Sequence, residues 1–367
     1  MITSFTLLSR FDFKMIIILI LSLCFYENNA QTISVERFLS KIKVTDIKND
    51  GKDIWATTEG NGIYRYNSKK NKWENFSTDN KKIKQDFFYC IEISKKYIWA
   101  GSTNGLYIFD KRRKKWKRKG FSKGGQFGNW IRSLKYDKKH KTLWIGRFRN
   151  LSRYSLPRKK YYDYNLTIKK VDKTNSIKSL HIDGDSLLWI GTEAGLHKFN
   201  INGNLRKKQG LSFYNNSNNY FMNESDQVSV TNILTEQNSI WFGTDEFITK
   251  ENPNFNVGGM YQFDRGIEWK KLSSQNGLNS NGVFDLELVG NYIWVATYQF
   301  NPTSKKQMHR GITLVNRLNM STSKLENSDI PITVNTLHFD GTNMWIGTND
   351  GIRKIKLTNS IVPNFTR

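Results

Sequence analysis

The chain has 367 residues, a formal net charge of +25 at pH 7, 38% apolar residues and 14% aromatic residues. This length suits one large or two ordinary domains, and 23 Phe, 16 Tyr and 11 Trp supply enough apolar surface for a core. Aromatic and β-branched residues are frequent and no long helical periodicity occurs, so the composition favours β structure and argues against a helical bundle.

Residues 1–30 differ from the rest of the chain. An apolar run over residues 15–26 follows the positive residues Arg10 and Lys14 and gives way to polar residues before Ala30. The run is too short to span a bilayer and is typical of a secretory signal peptide. We therefore expect cleavage after Ala30 and an exported mature chain, either periplasmic or secreted.

The two cysteines support the same interpretation. A lipoprotein anchor at Cys24 would need a small residue before it, and Leu23 occupies that position. Once the signal peptide is removed only Cys90 remains, within the apolar stretch "FFYCIEI", where a core position is expected. No second hydrophobic segment occurs, so we expect no transmembrane segment in the mature chain.

A tryptophan-centred phrase recurs seven times at intervals of 44 to 53 residues. "LLWIGTEAGLHKF" (187–199) and "NMWIGTNDGIRKI" (343–355) are two of its copies. Repetition at such a period indicates a solenoid, a propeller or an array. The repeated tryptophans are Trp55, Trp99, Trp144, Trp189, Trp241, Trp294 and Trp345.

Each repeat divides into four short strands separated by turns. An apolar strand such as "VNTLHFD" comes first, followed by the Trp strand, a strand such as "GIRKI", and a fourth strand that carries an aromatic residue. Four strands per repeat, seven times, predict an all-β fold: a seven-bladed β-propeller of four-stranded antiparallel blades over residues 31–367. We expect each flat Trp to meet a small residue of the neighbouring blade, which would explain the Trp-x-Gly/Ala pattern.

The turn after each Trp strand has its own pattern. A glycine follows at positions such as Gly62, Gly105 and Gly195, and Asn150 takes this place in the third repeat. Glycine and asparagine are the residues that most readily adopt positive φ, so we expect this backbone conformation there.

The phrase "WIGT-x-x-G-Leu/Ile-x-Lys/Arg-Phe/Tyr" resembles the two-component regulator propeller repeat of periplasmic sensor regions in bacterial hybrid histidine kinases. The resemblance covers residues 38–357 and implies a ligand-binding sensor propeller. Sensors of this family continue into a transmembrane helix and kinase domains, whereas this sequence ends at Arg367. We therefore expect neither region here, and signalling would require a separate partner such as an envelope protein.

Two segments compete to close the ring. "TISVERFL" (32–39) precedes the first inner strand and is predicted to supply the outer strand of the seventh blade. "SIVPNF" (360–365) is the alternative, weakened by Pro363, although edge strands tolerate proline.

Lysine and arginine cluster between the third and fourth strands of repeats 1–4, as in "DKRRKKWKRKGF". They can reflect solvated edges and a Lys-rich composition, or they can attract anionic polymers or an anionic membrane surface. Both explanations stay open. Export makes nucleic acid an unsuitable partner, and acidic polysaccharide or lipopolysaccharide suits the charge better.

Motifs for chemistry are scarce. No metal-ligand spacing, nucleophile elbow or phosphate loop occurs, so no metal or cofactor is expected. His181 and His338 hold the same slot of two inner strands, as expected of structural residues. A propeller-fold polysaccharide lyase remains the alternative to a binding function, with His181, Arg147 and Tyr298 as the candidate residue types.

The candidate ligand site lies where the repeat is broken. Repeat 3 reads "GRFRN" instead of Gly-Thr-x-x-Gly, and repeats 5 and 6 carry insertions after the Trp strand. Such loops lie on the ligand face of a propeller, where function is usually added. Arginine forks can grip an anion while aromatic rings stack on a sugar. The candidate residues are Trp130, Arg132, Arg147, Phe148, Arg149, Phe247, Tyr298, Gln299 and Phe300. We expect Arg147 to contribute most, and we favour binding of a small molecule or glycan, anionic in either case, over catalysis.

Overall fold

The computed structural model describes residues 34–216, 220–224, 227–248, 256–266 and 268–358. These residues form seven four-stranded antiparallel sheets, the blades of a β-propeller, as predicted. Within each blade the strands follow chain order from the inner to the outer strand, except where the ring closes. The predicted signal peptide (1–30) lies outside the described residues.

The strands are as follows. A first strand β1 (Val35–Phe38) precedes blade 1, which contains β2 (Val44–Asp50), β3 (Asp53–Thr58), β4 (Ile63–Asn67) and β5 (Lys72–Phe76). Blade 2 contains β6 (Phe88–Ile93), β7 (Tyr97–Ser102), β8 (Gly105–Asp110) and β9 (Lys115–Lys119). Blade 3 contains β10 (Ile131–Asp137), β11 (Thr142–Arg147), β12 (Leu151–Ser155) and β13 (Lys160–Tyr164). Blade 4 contains β14 (Ile177–Asp183), β15 (Leu187–Thr192), β16 (Gly195–Asn200) and β17 (Leu211–Tyr214).

Blade 5 contains β18 (Val230–Thr235), β19 (Ile240–Thr244), β22 (Met260–Phe263) and β23 (Trp269–Leu272), with a small inserted hairpin of β20 (Phe247–Ile248) and β21 (Asn256–Val257). Blade 6 contains β24 (Gly282–Val289), β25 (Tyr292–Asn301), β26 (Lys306–Asn316) and β27 (Thr322–Lys324). Blade 7 contains β28 (Val334–Phe339), β29 (Asn343–Thr348) and β30 (Gly351–Lys356). Short 3-10 helices span Gly125–Phe127, Asp172–Asn175, Leu205–Lys207 and Tyr220–Asn223.

The ring closes through its N-terminal strand. β1 pairs antiparallel with β30, with Val35 opposite Ile355, and so becomes the outer strand of blade 7. The Phe38 ring lies 6.0 Å from Trp345 in blade 7 and 5.9 Å from Trp73 in blade 1, measured between ring centroids. The predicted closure by residues 32–39 is confirmed, and the alternative segment 360–365 lies outside the described residues.

The tryptophans and glycines of the repeat pack differently from our expectation. All seven repeated tryptophans are at most 3% exposed. Trp and the glycine two residues later share a sheet face, because side chains alternate along a strand. A Cβ on Gly243 would lie 2.6 Å from Cγ1 of Val283, the inner-strand residue of the next blade. The glycine thus accepts a branched side chain from the neighbour, and it does not receive the neighbour's Trp.

The turn prediction is confirmed. Gly62, Gly105 and Gly195 have φ values of +77°, +112° and +119°, and Asn150 has +75°. The loop between the second and third strands can therefore keep its shape in blade 3 without glycine.

The inner strands surround a central channel and are connected to one another by side chains. Thr45 Oγ1 of blade 1 donates to the Phe88 carbonyl of blade 2 at 2.7 Å. Thr231 Oγ1 of blade 5 donates to the Val283 carbonyl of blade 6 at 2.9 Å. These bonds satisfy one carbonyl each on β6 and β24, whose free edges face the channel and are covered by no further strand.

No helix among the described residues is long and apolar enough to cross a bilayer.

Candidate ligand-binding site

Every inner strand has a β-bulge near its start. In each pairing with the Trp strand one residue is skipped, for example between Ile131 and Ser133. A bulge leaves a residue outside the regular ladder and redirects its side chain. All seven bulge residues line the channel, whose volume is about 330 Å³. They are Thr45, Tyr89, Arg132, Lys178, Thr231, Phe284 and Asn335.

The channel opens into a second cavity of about 320 Å³ on the face where the inner strands begin, called the mouth face below. The two cavities share five of the bulge residues. The mouth cavity is lined by Tyr89, Trp130, Arg132, Lys178, Thr231, Asp245, Val283, Phe284, Tyr298 and Gln307. Trp130, Arg132 and Tyr298, predicted from two distant repeats, therefore border one cavity.

An aromatic wall stands on the blade 3 side of the mouth. The rings of Trp130 and Phe148 stack with centroids 5.2 Å apart and planes 9° apart, and Phe127 lies 5.1 Å from Phe148. The Phe148 amide donates to the Trp130 carbonyl at 2.8 Å, so the backbone holds the stack in place. Phe127 is 42% exposed, which leaves aromatic surface open to solvent.

Arg132 lies beside this wall. Its guanidinium carbon is 5.3 Å from the Phe148 ring centroid, and Nη1 donates to Glu193 at 2.7 Å and to Ser176 Oγ at 3.1 Å. Among the described residues, Nε and Nη2 of Arg132 have no hydrogen-bond partner. The Nε–Nη2 edge of the guanidinium can therefore donate two parallel hydrogen bonds to a carboxylate or sulfate.

Lys178 is the second cation at the mouth. It pairs with Asp245, which also accepts hydrogen bonds from Ser229 Oγ and from the Tyr298 hydroxyl, the latter at 2.7 Å. Burial alone would raise the pKa of Asp245, but the Lys178 charge and these hydrogen bonds lower it below its usual value. Burial and the Asp245 charge raise the pKa of Tyr298 well above its usual value, so its hydroxyl remains a donor at neutral pH.

The other predicted residues of blades 5 and 6 lie further out. Gln299 is exposed and accepts a hydrogen bond from Arg310, while the Phe300 amide donates to Glu246. Phe247 starts β20, whose backbone pairs with Val257. The structure places these residues on the inserted segments and does not bring Gln299 or Phe300 into the lining of the mouth cavity.

Arg147 requires a correction. Its side chain is 0% exposed, and its guanidinium donates to Asp163 at 2.9 Å and to the carbonyls of Lys123 and Gly128 at 2.6 and 2.7 Å. Blade 3 has an arginine where the other blades have threonine or, in blade 2, serine. The guanidinium of Arg147 fills the space under the segment before β10. Arg147 therefore supports the wall from inside and has no surface to offer a ligand.

Arg149 is 53% exposed and lies 3.7 Å from Asp172 in the segment leading to blade 4. It remains accessible at the rim of the mouth. An exposed pair of this kind contributes little to stability, so Arg149 is free to change partner at small cost.

The residues considered for a lyase do not share one cavity. His181 lies in the channel with Nε2 3.0 Å from Thr235 Oγ1, and burial lowers its pKa to about 3. Tyr298 borders the mouth and Arg147 lines neither cavity. His338 repeats the His181 arrangement by accepting from the Asn49 amide at 3.1 Å. Both histidines connect neighbouring blades, as their shared slot predicted, and the described residues contain no cluster of three metal-ligating side chains.

Sequence reasoning missed Lys178, Asp245, Glu193 and Phe284. A usable signal was present for Lys178 and Phe284, because each inner strand has its bulge residue just after an apolar residue at its start. Reading that one position through seven repeats gives Thr, Tyr, Arg, Lys, Thr, Phe and Asn. Variation at a fixed position inside a repeat marks a residue released from packing.

The strand topology and the two cavities define this chain as a seven-bladed β-propeller whose central channel is lined by the bulge residues of the inner strands. Two crystal structures of the extracellular domain of BT4673 from B. thetaiotaomicron, described as a putative one-component and a putative hybrid two-component system, match with TM-scores of 0.65 and 0.64 at 17% and 16% identity. The match covers 89% and 88% of this chain, and the chain spans 40% and 39% of theirs. The resemblance to sensor propellers that the repeat indicates is thus confirmed in the fold.

Histidine kinase P4 of Formosa agariphila is 25% identical over 311 residues, which are 78% of this chain and 21% of that protein. The chain therefore spans about a fifth of this curated relative. Virginiamycin B lyase from Staphylococcus aureus matches with a TM-score of 0.63 at 12% identity, over 89% of this chain and all of the lyase chain. No protein-family profile matches the sequence.

Proposed function

We propose that this protein is an exported, sensor-like binding module that holds an anionic glycan at the mouth of its channel. The observation that carries the proposal is the pairing of a stacked aromatic wall, Trp130 on Phe148, with the open guanidinium edge of Arg132. Export is supported by the apolar run at residues 15–26, and a sensor-like role by the fold shared with extracellular sensor domains.

The ligand chemistry follows from the two kinds of surface. An aromatic face suits the apolar face of a sugar ring, and a planar guanidinium edge suits a carboxylate or sulfate. Glu193 and Asp245 hold the cations in position before a ligand arrives. These acids also disfavour a ligand with many charges, since its extra anionic groups would be repelled. A sugar acid with one or two charges near the wall fits best.

Arg149, Gln299, Phe300 and Phe247 are proposed as outer contacts for a longer saccharide. Arg149 lies beside the wall, and the other three belong to inserted segments of blades 5 and 6. A chain of several sugars can extend from the mouth over these segments. Tyr298 lines the same cavity, and its hydroxyl holds Asp245 in position there.

A titration with uronate-containing oligosaccharides, compared with neutral oligosaccharides of equal length, tests the proposal. Arg132→Gln should weaken uronate binding about tenfold or more, the scale of a charged hydrogen bond, while the melting temperature falls only modestly through loss of the ion pair with Glu193. Arg132→Lys keeps the charge but loses the fork and should recover only part of the affinity. Arg118→Gln, an exposed arginine of blade 2, is the matched control.

Equal binding of uronates and neutral sugars, or wild-type affinity in Arg132→Gln, would contradict the proposal. The lyase alternative rests on the shared fold with virginiamycin B lyase. The same incubations followed by ultraviolet absorbance decide it, since β-elimination of a uronate creates a conjugated double bond. A steady rise in absorbance would replace the binding function with a lyase.

A further inference from the structure

A half-ring of exposed cations lies on the face opposite the mouth. It consists of the hairpins between the third and fourth strands of blades 1–4, called the basic arc below. Strands run back and forth through each blade, so these hairpins lie at the end away from the starts of the inner strands. The exposed basic residues of the four hairpins are Lys69, Lys70, Lys72, Arg112, Arg113, Lys114, Lys115, Arg158, Lys159, Lys160, Arg206, Lys207 and Lys208.

The same face looks different in blades 5 and 6. Arg265 pairs with Asp183 at 2.7 Å, and Arg317 pairs with Glu236. A chain that is rich in lysine only through its composition would spread unpaired cations over all blades. Among the described arc residues, Arg113 lies 4.0 Å from Asp110 and the other basic side chains have no carboxylate partner, whereas at this face of blades 5 and 6 both arginines are paired. The unpaired charge of this face is therefore concentrated on blades 1–4.

We propose that the basic arc docks this protein onto an anionic lipid bilayer, with the channel mouth turned away from the membrane. The four hairpins lie at one end of neighbouring blades around a common axis, so their tips can meet a flat surface together. Each lysine or arginine close to an anionic membrane adds to the attraction, which salt screens. The arc consists of exposed tips and lines neither the channel nor its mouth. A linear acidic polysaccharide, the other candidate, would be expected to follow a groove.

Vesicle sedimentation of the chain from Gln31 onward, which keeps the whole described propeller, tests the proposal. Vesicles of phosphatidylcholine mixed with phosphatidylglycerol are compared with phosphatidylcholine alone, at low and high salt. The arc variant combines Lys69→Gln, Lys70→Gln, Arg112→Gln and Lys207→Gln. The matched control removes the same charge from exposed residues of the mouth face, by Lys84→Gln, Lys123→Gln, Lys173→Gln and Lys306→Gln.

The wild-type chain should bind the anionic vesicles only, and more weakly as salt rises. The arc variant should bind roughly tenfold less tightly or worse, given the contribution of each cation near a membrane, and the control should keep most of its affinity. Equal loss in both variants would mean that net charge alone acts and would overturn the proposal. Absence of vesicle binding together with arc-dependent binding of alginate would overturn it in favour of a polysaccharide. Circular dichroism of both variants confirms that they are folded.

Discussion

The hydroxyl of Tyr298 in blade 6 donates a 2.7 Å hydrogen bond to the carboxylate of Asp245 in blade 5. The same carboxylate pairs with Lys178 in blade 4, so three consecutive blades meet at one acid. Blade 3 is joined to blade 4 by the 2.7 Å pair between Arg132 and Glu193. The mouth is therefore bordered by a chain of polar contacts that a ligand could tighten or release.

Tyr298→Phe should lower the free energy of unfolding by about 1–2 kcal/mol, because a hydrogen bond to a charged acceptor is lost. Urea denaturation measures the change. The substitution keeps the ring packed on Phe284, whose centroid lies 4.4 Å away, so cavity formation does not contribute. The double variant with Asp245→Asn should show non-additive losses. Strict additivity would mean that the two groups do not interact in solution.

Arg147→Ala should lower the free energy of unfolding by about 3–5 kcal/mol, since it removes a buried cation and leaves its acceptors unpaired. Arg149→Ala, two residues away and 53% exposed, should change it by only about 0.5 kcal/mol or less. Differential scanning calorimetry of both variants checks the contrast. Similar melting temperatures for the two would show that Arg147 is not part of the scaffold.

The fold was predictable because one sequence pattern occurs seven times, and each copy imposes the same packing and backbone requirements on its blade. The Trp meets a packing requirement that recurs in every blade, and the glycine two residues later does so in five of the seven blades. The turn glycine meets a recurring requirement for positive φ. The one blade without the turn glycine was predictable too, since its Asn150 belongs to the few residue types that replace glycine at positive φ. Ring closure followed from counting strands, which left residues 32–39 unassigned.

The site was only partly predictable. Trp130, Arg132, Phe148 and Tyr298 were predicted from breaks in the repeat; the first, second and fourth line the mouth cavity, and Phe148 stacks on Trp130. Arg147 breaks the repeat as well, yet it is buried. A sequence gives the identity of a substitution but not the direction of its side chain, which here depends on whether a residue lies in the ladder or in a bulge.

A chain that begins at residue 40 should lose far more stability than one that lacks residues 358–367. Removal of β1 exposes the edge of β30 and unpairs a row of backbone hydrogen bonds. Melting temperatures of the two truncated chains measure this difference, and similar values would contradict closure by β1. A milder test is Phe38→Ala, which keeps the strand but should cost about 3 kcal/mol through lost packing on Trp73 and Trp345.

Glu287 in the channel should make stability fall as pH rises from about 4.5 to about 7. Burial raises the pKa of Glu287 from 4.5 to about 7, and the Lys48 charge offsets only part of this effect. A carboxyl group with a raised pKa in the folded state binds more protons there than in the unfolded state. Its contribution to stability is complete below pH 4.5 and is lost as pH rises through 7.

Between about pH 6 and pH 8, this contribution should amount to roughly 1 kcal/mol of unfolding free energy. His181 and His338 act in the opposite direction, since burial lowers the pKa of each to about 3 and their neutral forms are favoured in the folded state. Glu287→Gln separates the two effects, because the histidines are unchanged. Stability curves of this variant should lack the decline above pH 6, while Glu326→Gln, an exposed control, should retain it. Parallel curves for wild type and Glu287→Gln would show that Glu287 is hydrated and ionised in the channel.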